Sequence, residues 1–139
     1  MADSETDLRQ ILWEEQHMNQ EIKIAVCDDL AEDRENITRL LSEYTDKNNL
    51  YVKIEEFSSV EAFLSSDTSV YSLVFMDIFM SGMNGMETAK KLISRNSRVQ
   101  IVFGSTSTEF AAEAFDIEAL HYMVKPVRKE KLFHILDRK

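Results

Sequence analysis

Cysteine occurs once, proline once and glycine three times in 139 residues, and each scarcity removes a class of protein. A single Cys27 cannot close an intramolecular disulfide, so the chain is not a disulfide-stapled secreted domain. So little glycine and proline favours long regular elements over a turn-rich sandwich. No apolar run reaches the roughly 18 residues of a membrane span. The N-terminus is acidic and lacks the basic start and apolar stretch of a secretory signal. A soluble, cytoplasmic protein without a membrane partner is expected. Basic residues are scarce too, 16 against 25 acidic ones, for a net charge of −9. Residues 1–21 hold Asp3, Glu5, Asp7, Glu14, Glu15 and Glu21 against Arg9 alone, so the rest of the chain is only mildly acidic. A broad basic face for direct nucleic-acid binding is not expected. His17, His121 and His134 lack zinc-ligand spacing with Cys27, and no G-x-x-x-x-G-K-[ST] nucleotide loop is present.

What is there is an ordinary globular balance, 44% hydrophobic and 29% charged, in a length that suits one domain. Residues 8–16 place Leu8, Ile11 and Leu12 at helical spacing beside the lone Trp13. The His17-Met18 pair reads as a cloning-site junction, with Met18 the natural start. Residues 1–17 are then an appendage, the other reading being a native helical extension, and residues 18–139 form the domain proper.

From Glu21 onward the pattern alternates. Ile22–Cys27 (IKIAVC) is a β-branched apolar strand with Cys27 as a buried structural thiol. Residues 30–48 show Ile37, Leu40, Leu41 and Tyr44 at helical spacing. Residues 51–57 alternate with period two, residues 60–64 form a short helix, and residues 72–78 form a buried strand. Residues 84–96 read as a helix with Asn84 as a cap and Met86, Ala89, Leu92 and Ile93 on one face. Strand 99–103, helix 108–117 and strand 120–124 follow, and Pro126 is expected in the first turn of a last helix reaching about residue 138. Five βα units with apolar strands point to a parallel sheet covered on both faces, a doubly wound α/β sandwich, (βα)5.

Ligands in such sheets sit beyond the carboxyl ends of the strands. There the chain places Asp28-Asp29, Asp77, Ser105-Thr106 and Lys125-Pro126. Adjacent strands would bring three carboxylates, a hydroxyl and an ammonium into one pocket. Ionised carboxylates so close repel one another, and Lys125 cancels only one charge. A hard divalent cation completes such a set, and all-oxygen ligands favour Mg²⁺. The pocket suits phosphoryl chemistry with a carboxylate nucleophile. Each residue alone has a plainer role: Asp28 or Asp29 as a helix cap, Asp77 as a strand terminus, Ser105 and Thr106 as loop hydroxyls, Lys-Pro as a turn. Their coincidence at successive strand ends is what argues for a site.

CDD after the first strand, FMDIFMSGMNG around Asp77, IVFGST and YMVKP together resemble the receiver domain of two-component response regulators, over about residues 21–139. The segment from IVFGST to VKPV further resembles receivers of LytTR-type transcriptional regulators. The resemblance implies a five-stranded sheet of flavodoxin-like order 2-1-3-4-5. It implies Asp77 as phosphoacceptor from a sensor histidine kinase, Asp29 as a direct Mg²⁺ ligand and Asp28 as holder of metal-bound water. The backbone carbonyl of Phe79 would complete the metal set, and Lys125 would pair with Asp77 and then with the phosphoryl oxygens. Ser105 and Tyr122 would be the switch residues. No enzymatic activity is implied beyond Mg²⁺-dependent phosphorylation and dephosphorylation of Asp77.

The output would lie on the fourth helix, fifth strand and fifth helix, with Phe110, Ala111, Tyr122, Val127 and Leu132 as candidates and a possible homodimer there. Ala114 and Phe115 read instead as core positions. Met76, Met80, Met83 and Met86 read as gap-filling packing. LytTR-type regulators usually carry a DNA-binding domain after the receiver, so a receiver cut from a longer protein is expected, the other reading being a stand-alone relative. The chain departs from the commonest receiver pattern at Ser81 for proline, Asn84 for aspartate and Thr106 for alanine, and Phe79 is large. Phe79 and Thr106 are expected to alter water access to the phosphoryl group. Two alternatives fit poorly: a flavin module needs a hydroxyl- and glycine-rich first loop, and an aspartate-nucleophile phosphatase needs DxDxT. A phosphorylation-independent docking module keeps the fold without the chemistry, and the retained Asp28, Asp29, Asp77, Ser105 and Lys125 argue against it.

Overall fold

The computed structural model describes residues 12–13, 22–80, 84–96 and 98–137. Within residues 22–137, among the described residues, five strands alternate with five α-helices: β1 (Ile22–Cys27), α1 (Ala31–Lys47), β2 (Val52–Phe57), α2 (Val60–Leu64), β3 (Leu73–Asp77), α3 (Gly85–Arg95), β4 (Gln100–Ser105), α4 (Ala111–Asp116), β5 (His121–Val124) and α5 (Lys129–Leu136). The sheet is parallel throughout, in the order β2-β1-β3-β4-β5. The expected order is thus the one found. β3 is buried along its whole length, whereas the edge strand β2 is only half-buried, with Val52 and Ile54 on one face and Phe57 on the other.

The helices divide between the two faces as the apolar spacing requires. On one face α1 lays down Ile37, Leu40, Leu41 and Tyr44, and α5 adds Leu132, Ile135 and Leu136, over Ile24, Val26, Phe75 and Met123. On the other, Phe63 of α2, Met86, Ala89 and Leu92 of α3 and Ala114 of α4 cover Cys27, Val74, Met76 and Phe103. Each large side chain so buried contributes about 1.5–3 kcal/mol. Met76, Met80 and Met86 all lie in this second cluster, as packing residues; Met83 lies outside the described residues. Cys27 is buried, and burial, then the charge of Asp28, pushes its thiol well above the usual range, which suits a structural role.

Helix ends follow local chemistry. Asn84 caps α3, its side-chain oxygen accepting from the Glu87 N–H at 2.9 Å. Beyond α1, Asn49 takes a left-handed conformation (φ 56°), which asparagine tolerates better than most residues. Two expectations fail. Pro126 is not in the first turn of α5: the helix starts at Lys129, and Pro126 sits in the β5–α5 loop after a cis peptide bond. Phe115 is not core: it is 82% exposed, because the six residues of α4 bury only Ala114. Leu12 and Trp13 are helical, Leu12 fully buried in the α1/α5 cluster and Trp13 half exposed. The remainder of residues 8–16, the His17-Met18 pair and Ser81 lie outside the described residues. Among the described residues no helix is long and apolar enough to cross a membrane.

Candidate functional site

Register brings the site residues together. Cys27 pairs with Met76, Met76 with Phe103 and Phe103 with Tyr122, forming one rank across the sheet. Asp28 and Asp77 follow this rank by one residue, and Asp77 pairs with Gly104. Side chains alternate along a strand, so Asp28, Asp77 and Lys125 share the face of Val26, Phe75 and Met123, two residues before each. That is the α1/α5 face. Ser105, two residues beyond Phe103, belongs with Tyr122 to the opposite face. The acid pocket and the hydroxyl–aromatic pair therefore start on opposite faces at the same carboxyl edge of the sheet.

In the acid pocket, carboxylate oxygens of Asp28, Asp29 and Asp77 all lie within 4.8 Å of one another. Asp28 and Asp77 are buried and Asp29 is exposed. Such a cluster of hard oxygen donors, open on one side, fits a divalent cation. Lys125 Nζ lies 2.8 Å from Asp28 Oδ2, 3.0 Å from Asp33 Oδ2 and 3.2 Å from Asp77 Oδ1. Its aliphatic chain passes over Gly104, where an added Cβ would stand 3.7 Å from Lys125 Cε. Burial alone would lower the Lys125 pKa. Hydrogen bonds to Asp28 and Asp33, with the charges of Asp77 and Asp28, more than reverse this and hold the ammonium firmly protonated. Asp77 is raised to about 6, first by burial and then by the charge of Asp28, with Lys125 opposing.

Three contacts that periodicity did not announce shape the pocket. Asp33, in the first turn of α1, is the third carboxylate on Lys125. Arg34 donates to the Asp28 carbonyl at 2.8 Å and to Glu56 at 3.0 Å, tying the end of β1 to β2. Gly85 donates its N–H to the Ile78 carbonyl at 2.8 Å, and a side chain there would collide with the Asp77 carbonyl. Only glycine lets the start of α3 lie against the strand end that carries Asp77.

On the other face, Ser105 Oγ accepts from the Ser107 N–H at 3.1 Å, and Tyr122 Oη donates to the Ser107 carbonyl at 2.6 Å. Ser107 links the two residues, and nothing in the sequence pattern singled it out. Phe79 is 46% exposed after β3, its ring edge-on to Phe110 at 5.6 Å. Thr106, next after Ser105, is exposed.

Residues 24–137 match the response regulator receiver domain family. The chain belongs to that family. Receiver domains act generally through phosphorylation of an aspartate. Curated relatives include the positive alginate biosynthesis regulatory protein of Pseudomonas aeruginosa, 32% identical over 84% of this chain and 46% of its own length. The sensory transduction protein LytT of Bacillus subtilis is 29% identical over 84% of this chain and 47% of its own. These are LytTR-type regulators, as the motif resemblance implies, and the receiver chain spans about half their length. Among solved structures, the response regulatory domain of mrkE from Klebsiella pneumoniae shares the fold at a TM-score of 0.71 and 21% identity, covering 83% of this chain and 92% of that one. The BeF3-activated DrrB receiver domain does so at 0.66 and 22%, over 86% and 100%.

Proposed function

We propose that Asp77 accepts a phosphoryl group from the phosphohistidine of a sensor histidine kinase, with Mg²⁺ held by Asp29, by Asp77, by Asp28 through water and by the Phe79 carbonyl. The observation that carries this reading is the convergence of Asp28, Asp29 and Asp77 at the carboxyl edge of the sheet, with Lys125 on Asp28 and Asp77. The Asp77 oxygen attacks phosphorus, the P–O bond forms, the P–N bond breaks, and the imidazole leaves as a neutral ring after taking up a proton. Positioning and charge neutralisation do most of the work in such a transfer. The cation supplies charge neutralisation on the phosphoryl oxygens. Lys125 contributes the second positive charge from a side chain that burial and its acidic partners keep in place.

The phosphoryl group adds acceptor oxygens at Asp77. Ser105, leaving Ser107 for such an oxygen, loosens the loop that also holds Tyr122, and this biases two arrangements of one chain. A full swing from 1:99 to 99:1 needs about 5.5 kcal/mol of differential binding, so the hydroxyl bond, the Lys125 pair and the aromatic repacking act jointly. The output face is α4, β5 and α5, where exposed Phe115 and Val124 suit a homodimer; in a longer protein this face would control a DNA-binding transcriptional domain.

Intact mass after incubation with a small-molecule phosphodonor tests the reading. One phosphoryl group is expected with Mg²⁺, and none with chelator or in Asp77→Ala. Addition that persists in Asp77→Ala would assign another nucleophile. No addition from the phosphodonor or from a histidine kinase would favour a docking module.

A further inference from the structure

Lys125 meets three carboxylates on three elements: Asp28 after β1, Asp77 at the end of β3 and Asp33 in the first turn of α1. The ammonium donates hydrogen bonds to Asp28 and Asp33 and forms an ion pair with Asp77. The three partners differ in one respect. Asp28 and Asp77 belong to the carboxylate cluster that fits a cation, and Asp33 does not. The face rule explains its presence: α1 covers the side of the sheet onto which Lys125 projects, and packing of Ile37 and Leu40 turns the first turn towards the pocket. The neighbouring Arg34 is engaged with Glu56 and the Asp28 carbonyl.

We propose that Asp33 is a positioning residue for phosphoryl transfer: it retains the Lys125 ammonium when Asp28 and Asp77 turn to the metal and the phosphoryl group. Without Asp33, Lys125 concentrates its hydrogen bonds on the two carboxylates the cation must claim, and so competes with it. With Asp33, the ammonium has a partner outside the metal set and stays beside Asp77. Asp33 keeps a third of its side-chain surface exposed, so it serves as a partner without being sealed into the pocket. The inference rests on reading Asp77 as the phosphoacceptor.

The test compares Asp33→Asn with Glu32→Gln, which removes the same charge from the same helical turn at an exposed position. Mg²⁺ binding is titrated by calorimetry in about 0.15 M salt. Asp33→Asn should weaken Mg²⁺ about three- to five-fold, as befits a partly exposed ion pair, and Glu32→Gln by less than two-fold. Phosphorylation of Asp33→Asn by a small-molecule phosphodonor should slow at subsaturating Mg²⁺ and recover towards wild type at saturation. Asp33→Glu should restore much of both. At saturating Mg²⁺, the ¹H–¹⁵N signal of the Lys125 ammonium should be visible in the wild type and exchange-broadened in Asp33→Asn. Equal weakening in Asp33→Asn and Glu32→Gln would reduce the effect to bulk charge and overturn the proposal, as would unchanged or tighter Mg²⁺ binding. A wild-type protein that binds Mg²⁺ but takes no phosphoryl group would sink the reading of Asp77 instead, with the Mg²⁺ titration still judging Asp33.

Discussion

Replacing Asp77 by asparagine should make the metal-free protein more stable at neutral pH, although it removes the proposed nucleophile. Asparagine keeps the shape of the side chain and mimics its neutral form. Burial, followed by the charge of Asp28, raises Asp77 from 3.8 to about 6 despite Lys125 nearby. The folded state therefore binds this proton more tightly than the unfolded state does. Stability from this group is full below about pH 4 and is lost as pH rises through about 6. Two pKa units correspond to about 3 kcal/mol at pH 7 and about half that at pH 5. For a domain of this length that is a rise in melting temperature on the order of 10 °C at pH 7. Thermal denaturation of wild type and Asp77→Asn with chelator, from pH 5 to 8, reads it directly. The gap should widen with pH until about 7 and then level. Mg²⁺ should narrow it by stabilising the wild type alone. Equal midpoints at pH 7, or a gap that grows towards acid, would refute the account of Asp77 as a carboxylate held in a hostile site.

Three further outcomes follow from particular contacts. Gly85→Ala places a Cβ against the Asp77 carbonyl and 2.8 Å from Ile78 Cα; chemical denaturation should show a loss of at least about 2 kcal/mol, with slower phosphorylation of Asp77 because its strand end is displaced. Leu12 is fully buried, so Leu12→Ala should cost about 2–4 kcal/mol; a cost near zero would support residues 1–17 as a mere appendage. The rings of Phe79 and Phe110 meet edge-on above the strand end, so Phe79→Ala should shorten the phosphorylated half-life several-fold, with a smaller change in Thr106→Ala; unchanged dephosphorylation in both would reject any role in screening water.

Much of this protein is determined by one-dimensional pattern. Strand positions follow from apolar runs with period two or none, helices from period 3.6, and five alternations leave a parallel, doubly wound sheet as the natural packing. Because a strand end is a place in the sequence as well as in space, the gathering of Asp28, Asp77, Ser105 and Lys125 at one edge of the sheet is legible in the sequence. The tertiary structure decided what depends on the rotation of helices and the path of loops. Asp33 is one acidic residue among several at the start of α1; only the docking of Ile37 and Leu40 onto the sheet turns it, and not exposed Glu32, towards an ammonium 92 residues away. Ser107 lies in a loop without periodicity, and its link to Ser105 and Tyr122 exists only once β4 and β5 are paired. Phe115 has the spacing of a core residue, but α4 is too short to bury a second row. Pattern measures which residues prefer burial; the sheet and its neighbours determine which of them obtain it.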